Sequence, residues 1–169
     1  MKTETYGRLA RYLHWASAGV IIWASISGFY LATLNADSVL RGWLSWFNVS
    51  LTTTFTPLFV VRVINAMCTA KPAPVAVPLW QQRAARYVHT LLYAVTSVVL
   101  ASGILMMNHD INLFGVAMIP NLLGDPPWNE RFYIVHRLSC AVLFVLVAAH
   151  VAAVVRHHRA GRAVLARMT

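Results

Sequence analysis

The chain has 169 residues, of which 59% are hydrophobic and only 11% are charged, and its formal net charge is +9. So small a polar fraction cannot cover the surface of a soluble globule of this length, and it indicates a protein embedded in a lipid bilayer. The positive charge does not indicate nucleic-acid binding, because the basic residues gather at the ends of apolar segments instead of forming one surface.

Four segments are apolar over the roughly 20 residues that a helix needs to cross a bilayer. In chain order they are, approximately, Leu9–Leu34, Gly42–Met67, Trp80–Met107 and Arg131–Arg156. The pattern predicts an all-α fold, an integral membrane four-helix bundle, with residues 1–169 forming one transmembrane domain.

Two of the connections have compositions of their own. Residues 68–79 contain Pro72, Pro74 and Pro78, which predict a linker that separates the second helix from the third. The segment Asn108–Glu130 is rich in Gly and Pro, and it predicts an irregular cap on the opposite membrane surface.

The charges predict the orientation of the bundle. Eleven basic residues lie at the two termini or in the connection between the second and third helices: Lys2, Arg8, Arg11, Arg62, Lys71, Arg83, Arg86, Arg156, Arg159, Arg162 and Arg167. Four of the five acidic residues lie in the other two connections: Asp37, Asp110, Asp125 and Glu130. Because cytoplasmic loops carry the excess of Lys and Arg, we predict that both termini are cytoplasmic, an N-in/C-in topology.

Four histidines fall inside the predicted spans, where an ionisable side chain is costly and indicates a functional site. Because the chain direction alternates, His14, His89 and His150 come to a similar depth in the cytoplasmic half, which we call the inner half. His136 alone lies in the outer half. The histidines therefore predict an inner site and, at His136, a separate outer one.

The spacing of the histidines favours haem. The 14 residues from His136 to His150 return to within about 40° of one helix face while rising about 21 Å, so one face can serve two stacked sites. Two imidazoles from different helices form a common axial pair for haem iron in a bundle core. We predict His14 and His150 as ligands of one b-type haem and His136 as a ligand of a second, with a histidine that merely bonds a neighbouring helix as the alternative.

Three further residues have more than one possible role. His89 is a haem ligand, a partner of a ligand or of a propionate, or part of a quinone site. Arg62 and His158, at inner helix ends, pair with haem propionates or extend to lipid headgroups.

The sequence resembles the bacterial cytochrome b561 family of four-helix membrane di-haem cytochromes, which includes superoxide oxidases. The resemblance covers nearly the whole chain. The residues that carry it are Tyr6-Gly7-Arg8 with His14-Trp15, Val60-Val61-Arg62, His89 with Met106-Met107, and His136 with His150 and His157-His158. It implies that His14 and His150 hold the cytoplasmic-side haem, that His136 belongs to the outer haem, and that the protein lies in the bacterial inner membrane.

One position departs from the family. Asn48 stands where the family carries the second ligand of the outer haem, and an amide is a poor iron ligand. Three outcomes are open: the outer haem is absent, it is five-coordinate on His136, or another group such as Met106 takes the sixth position.

Three functions are compatible with these features. The leading one is electron transfer through haem b between a periplasmic donor and the quinone pool, with ubiquinone as a second cofactor. If superoxide is the donor, the protein is an oxidoreductase of the superoxide:quinone type. The alternatives are a haem-bearing membrane anchor that receives electrons from a redox partner protein, and a haem-free helical scaffold or sensor.

Overall fold

The computed structural model describes residues 5–70, 77–162 and 165–168. Its main elements are four helices: α1 (Arg8–Leu31), α2 (Val39–Cys68), α3 (Leu79–Leu105) and α4 (Pro126–Arg159). The predicted all-α bundle is confirmed. Of the linker prolines, Pro72 and Pro74 lie outside the described residues, whereas Pro78 directly precedes α3.

The helices pair as two hairpins. α1 packs along α2, and α3 packs along α4, whereas the hairpins meet less extensively through α2 and α3. Small polar side chains lie in the tightest places, including Ser17, Ser50 and Ser102. The hydroxyls of Ser17 and Ser102 donate to the carbonyls of Leu13 and Val98 in the preceding turn, both at 2.6 Å. Small residues let two helices approach closely, and these bonds leave no hydroxyl without a partner in an apolar medium.

Large apolar side chains cover much of the outside of the bundle, as expected for a surface that contacts lipid. By length and composition, α2, α3 and α4 can each cross a membrane. α1 has 24 residues but does not meet the same criterion among the described helices, because His14, Ser17, Ser25 and Ser27 lower its hydropathy. That α1 also crosses stays a prediction.

The segment after α3 is more ordered than the predicted irregular cap. Ile111–Leu113 (β1) pairs with Ala117–Ile119 (β2) in an antiparallel hairpin, and Gly115 turns the chain with a φ of 75°. Ser50 of α2 anchors the hairpin, since its hydroxyl donates to the carbonyl of Asn112 at 2.8 Å. The expected irregular cap is therefore a short sheet bonded to a helix.

The cap is also shorter than expected, because α4 begins at Pro126 and not near Arg131. Pro126 and Pro127 occupy the first helical positions, where the missing N–H costs no hydrogen bond. A pair of prolines that predicts a loop from the sequence thus starts a helix.

The two ends of the described chain meet beside the start of α1. A short 3₁₀ turn, Leu165–Arg167, follows α4. The Tyr6 amide donates to the Arg167 carbonyl at 3.1 Å, and the indole N–H of Trp15 donates to the Met168 carbonyl at 2.8 Å. Both ends are therefore held at the same end of the bundle.

Candidate functional site

One ionisable side chain from each helix converges in the inner half of the bundle. We call His14 of α1, Arg62 of α2, His89 of α3 and His150 of α4 the inner cluster. The Arg62 guanidinium donates to His14 Nδ1 at 3.2 Å. The rings of His89 and His150 meet edge to face, with centroids 5.2 Å apart. His14 also lies within electrostatic range of both other histidines, so the structure brings together the three histidines to which the sequence assigns one depth.

Arg62 carries the positive charge of this cluster without a carboxylate beside it. Its guanidinium lies 5.3 Å from the centre of the Tyr93 ring, a cation–π arrangement. The acidic residues of the described chain, Asp37, Asp110, Asp125 and Glu130, all belong to the opposite end of the bundle. The inner cluster therefore offers imidazoles and an uncompensated cation in an apolar bundle.

That donor set fits haem b. Haem iron binds imidazoles, which His14 and His150 would supply from different helices, and the propionates bind cations, for which Arg62 would serve. One contact must change on binding. Because arginine only donates, His14 Nδ1 is an acceptor here and its Nε2 carries the proton. If His14 were to hold iron through Nε2, the ring proton would lie on Nδ1 instead, and Arg62 would no longer donate to that atom.

The outer half has a different polar arrangement around Asn48. Asn48 Oδ1 accepts a hydrogen bond from the indole N–H of Trp23 at 3.0 Å and lies 2.8 Å from the Ser27 hydroxyl, whose one proton is shared with the Trp23 carbonyl at 2.6 Å. Indole N–H groups only donate, so the atom that faces Trp23 is the amide oxygen. Asn48 thus connects α2 to α1.

His136 is held against α3. Its Nδ1 donates to the Val99 carbonyl at 3.1 Å, and its Nε2 lies 3.5 Å from the sulfur of Cys140. A Cβ added to Gly103 would lie only 3.1 Å from Cε1 of the ring, so any larger residue there would push the ring away by a few tenths of an ångström. No contact in the described structure joins His136 to Asn48. The outer half offers one imidazole, His136, and one amide, Asn48, whose oxygen already accepts a hydrogen bond. This pair does not fit a haem with two imidazole ligands.

Met106 lies at the outer rim of the bundle. With Met107, His109, Glu130 and Tyr133 it lines an open groove of about 400 Å³ at the outer rim. Asn129 of α4 donates to the Met107 carbonyl at 2.8 Å, so the end of α3 lies at the level of Asn129. Asn129 precedes His136 by seven residues, which is about 10 Å along α4.

The inner rim contains contacts that the sequence did not indicate. His158 is exposed at the end of α4, eight residues beyond His150. Its neighbour His157 accepts a hydrogen bond from Arg162 at 2.9 Å, and Arg162 also donates to Gln81 at 3.0 Å. Tyr93 was also missed, although it follows His89 by four residues and so shares its helix face.

A family model described as prokaryotic cytochrome b561 matches residues 5–169. Comparisons with curated proteins and with solved structures gave no match.

Proposed function

Because the chain belongs to the prokaryotic cytochrome b561 family, we propose that it carries haem b in the membrane and passes single electrons between a periplasmic donor and the quinone pool. The observation that carries this proposal is the inner cluster. Each helix contributes one side chain to it, and together they form a site of three imidazoles and a cation without a carboxylate partner. Membrane haem b electron transfer is the general activity of the family; the donor and the quinone are part of the proposal.

The side chains have distinct roles. His14 and His150 hold the iron from the first and last helices of the bundle. Arg62 balances propionate charge once it releases His14 Nδ1. His89 packs edge to face on His150 and fixes the orientation of that ring, which makes it a positioning residue. When bound, haem supplies a one-electron couple whose potential depends on its axial ligands and its surroundings.

The protein would bind the quinone at the inner rim of the bundle. Arg83, Arg86 and His89 lie on one short stretch of α3, and all three are exposed. A basic, donor-rich rim beside an apolar bundle suits a headgroup that takes up electrons and protons. Superoxide is the periplasmic donor that the family resemblance implies.

The test is the haem content of single variants of the purified chain. We expect His14→Ala and His150→Ala to lose bound haem and its Soret absorbance, because each removes an axial ligand. His89→Ala should keep the haem with a shifted reduced spectrum. His158→Ala, which changes an exposed histidine eight residues beyond His150, is the matched control and should bind haem as the wild type does. An unchanged spectrum in His150→Ala would overturn the ligand assignment.

The outer site favours a second candidate function. Without a pair of outer ligands, no haem-to-haem relay leads to the periplasmic surface. A membrane anchor that receives electrons from a partner protein needs no such relay. Co-purification of a stoichiometric partner, together with failure of the isolated chain to reduce quinone, would support this second function over the first.

A further inference from the structure

We propose that the outer half of this bundle holds no haem, and that Asn48 and His136 act there as helix-to-helix clamps in a chain that carries a single haem. The single inner haem rests on the proposed function. The state of the outer half rests on the contacts of Asn48 and His136.

The first step concerns Asn48. Both hydrogen bonds to its amide oxygen come from α1, one from Trp23 and one from Ser27, four residues apart on the same helix face. Carboxamides are poor ligands for haem iron, and this one is fixed in orientation by a group that can only donate. Asn48 therefore cannot supply the second ligand of an outer haem iron. Its amide oxygen bonds α1 instead and so joins α1 to α2.

The second step concerns His136. Since a carbonyl only accepts, Nδ1 carries the proton and donates to Val99, which leaves Nε2 as the sole nitrogen with a lone pair. The Cys140 sulfur lies 3.5 Å from that nitrogen, on the same helix and one turn away. In the described structure Nε2 faces the thiol of its own helix, and this thiol would have to turn away before iron could bind there. His136 could then supply one ligand, so the exclusion of an outer haem rests on the lack of an opposite ligand at Asn48. The contacts of His136 hold α4 to α3.

The third step concerns a set of aromatic rings near Asn48, which pack on one another at the partly exposed surface of the outer half. Phe47 stacks on Trp43 with centroids 5.5 Å apart and contacts Trp23 edge to face at 5.6 Å. Phe114 of the hairpin closes on Phe47 at 5.9 Å. These rings join α1, α2 and the hairpin to one another, and Trp23 belongs both to this set and to the contacts of Asn48.

One consequence separates this chain from a two-haem relay. Electrons enter and leave through the inner haem alone, and the outer half acts as an insulating cap. A donor on the periplasmic side then has to reach the inner haem across that cap, whereas a partner or quinone at the inner rim has direct access.

The experiment is a haem-to-protein ratio on the purified full-length chain by pyridine haemochrome, with reduced and reduced-plus-CO spectra. We expect a ratio near one and no response to CO, because the single haem has two imidazole ligands. His136→Ala should keep both results. A ratio near two, or a CO-sensitive fraction that His136→Ala removes, would overturn the inference and leave the proposed function intact. Retention of haem by His150→Ala would instead count against the proposed function.

A second measurement tests the clamp. Asn48→Ala should leave the haem ratio unchanged and lower the melting temperature by about 2–4 °C, the shift typical of losing one modest interaction in a protein of this size. Asn65→Ala, on the same helix, is the matched control, because the one side-chain bond of Asn65 is to Thr69 on the next turn. A melting temperature equal to that of the control variant, or a changed haem ratio, would refute the clamp.

Discussion

At the scale of single residues, the contact between Arg62 and His14 links the fold to the expected redox chemistry. The guanidinium donates to the ring nitrogen opposite the one that would bind iron. Its charge has no carboxylate nearby in the described chain, and the Tyr93 ring covers it on one side. Arg62 is therefore the main fixed positive charge at the inner site.

We predict that Arg62→Gln lowers the haem midpoint potential by tens of millivolts. Reduction adds a negative charge at the site, and a nearby cation stabilises the reduced form; about 1.4 kcal/mol corresponds to about 59 mV for one electron. Redox titration of the purified protein measures the shift. Arg62→Lys retains the charge and should remain near the wild-type potential, and a potential that is unchanged or raised in a fully loaded Arg62→Gln would contradict the prediction.

The sequence predicts some of these contacts and not others. The similar depth of His14, His89 and His150 follows from chain alternation alone, so their convergence could be predicted. The partners of Asn48 could not, because they depend on how α1 and α2 rotate about their axes, and an apolar helix with several serines has no single polar face to fix that rotation. Asn48 is recognisable from the sequence as a poor ligand, but only the structure identifies Trp23 and Ser27 as its partners.

At the scale of elements, the end of α3 depends on one side chain of α4. The last carbonyls of a helix have no partner within it. Asn129, which is 6% exposed, donates to the Leu105 carbonyl at 3.0 Å and to the Met107 carbonyl at 2.8 Å. α4 therefore caps α3.

We predict that Asn129→Ala destabilises the protein by about 1–3 kcal/mol, since it leaves two carbonyls without their donor. Thermal unfolding in detergent should show a lower midpoint, with haem content retained below the transition. Asn108→Ala removes an exposed amide from the same rim and is the control. Equal midpoints for the two variants would mean that water satisfies these carbonyls equally well.

The boundaries of the elements show where sequence patterns lose information. Long apolar runs located all four helices to within a few residues at most ends. The hairpin was missed because its three-residue strands are too short to show an alternating pattern. The start of α4 was misplaced because proline predicts a loop in general but is favoured at the first position of a helix.

At the scale of the whole molecule, the two cysteines provide markers of orientation. Cys68 is exposed at the inner end of α2, whereas Cys140 lies half-buried within α4. The structure brings both termini to one end of the bundle but contains no membrane, so the predicted N-in/C-in topology depends on the charges alone.

We predict that a membrane-impermeant maleimide labels Cys68 in inverted membrane vesicles and not in intact spheroplasts. The reason is that the basic inner end, to which Cys68 belongs, should face the cytoplasm. Cys68→Ser should abolish labelling in both preparations, since Cys140 is shielded. Labelling in intact spheroplasts would reverse the assigned orientation.

The division of the inner cluster between two hairpins has a consequence for biogenesis. α1, with His14, is synthesised long before α4, so the first hairpin must persist for a time with an incomplete inner cluster. Its stability in that interval comes from contacts within the hairpin. The polar ones include the bonds of Asn48 to Trp23 and Ser27, the bond of Arg62 to His14, and the bonds of Arg41 to the carbonyls of Leu31 and Leu34. With His14 and His150 as the proposed ligand pair, haem would join the protein only after the second hairpin has arrived, and the colour of the protein would then report that insertion is complete.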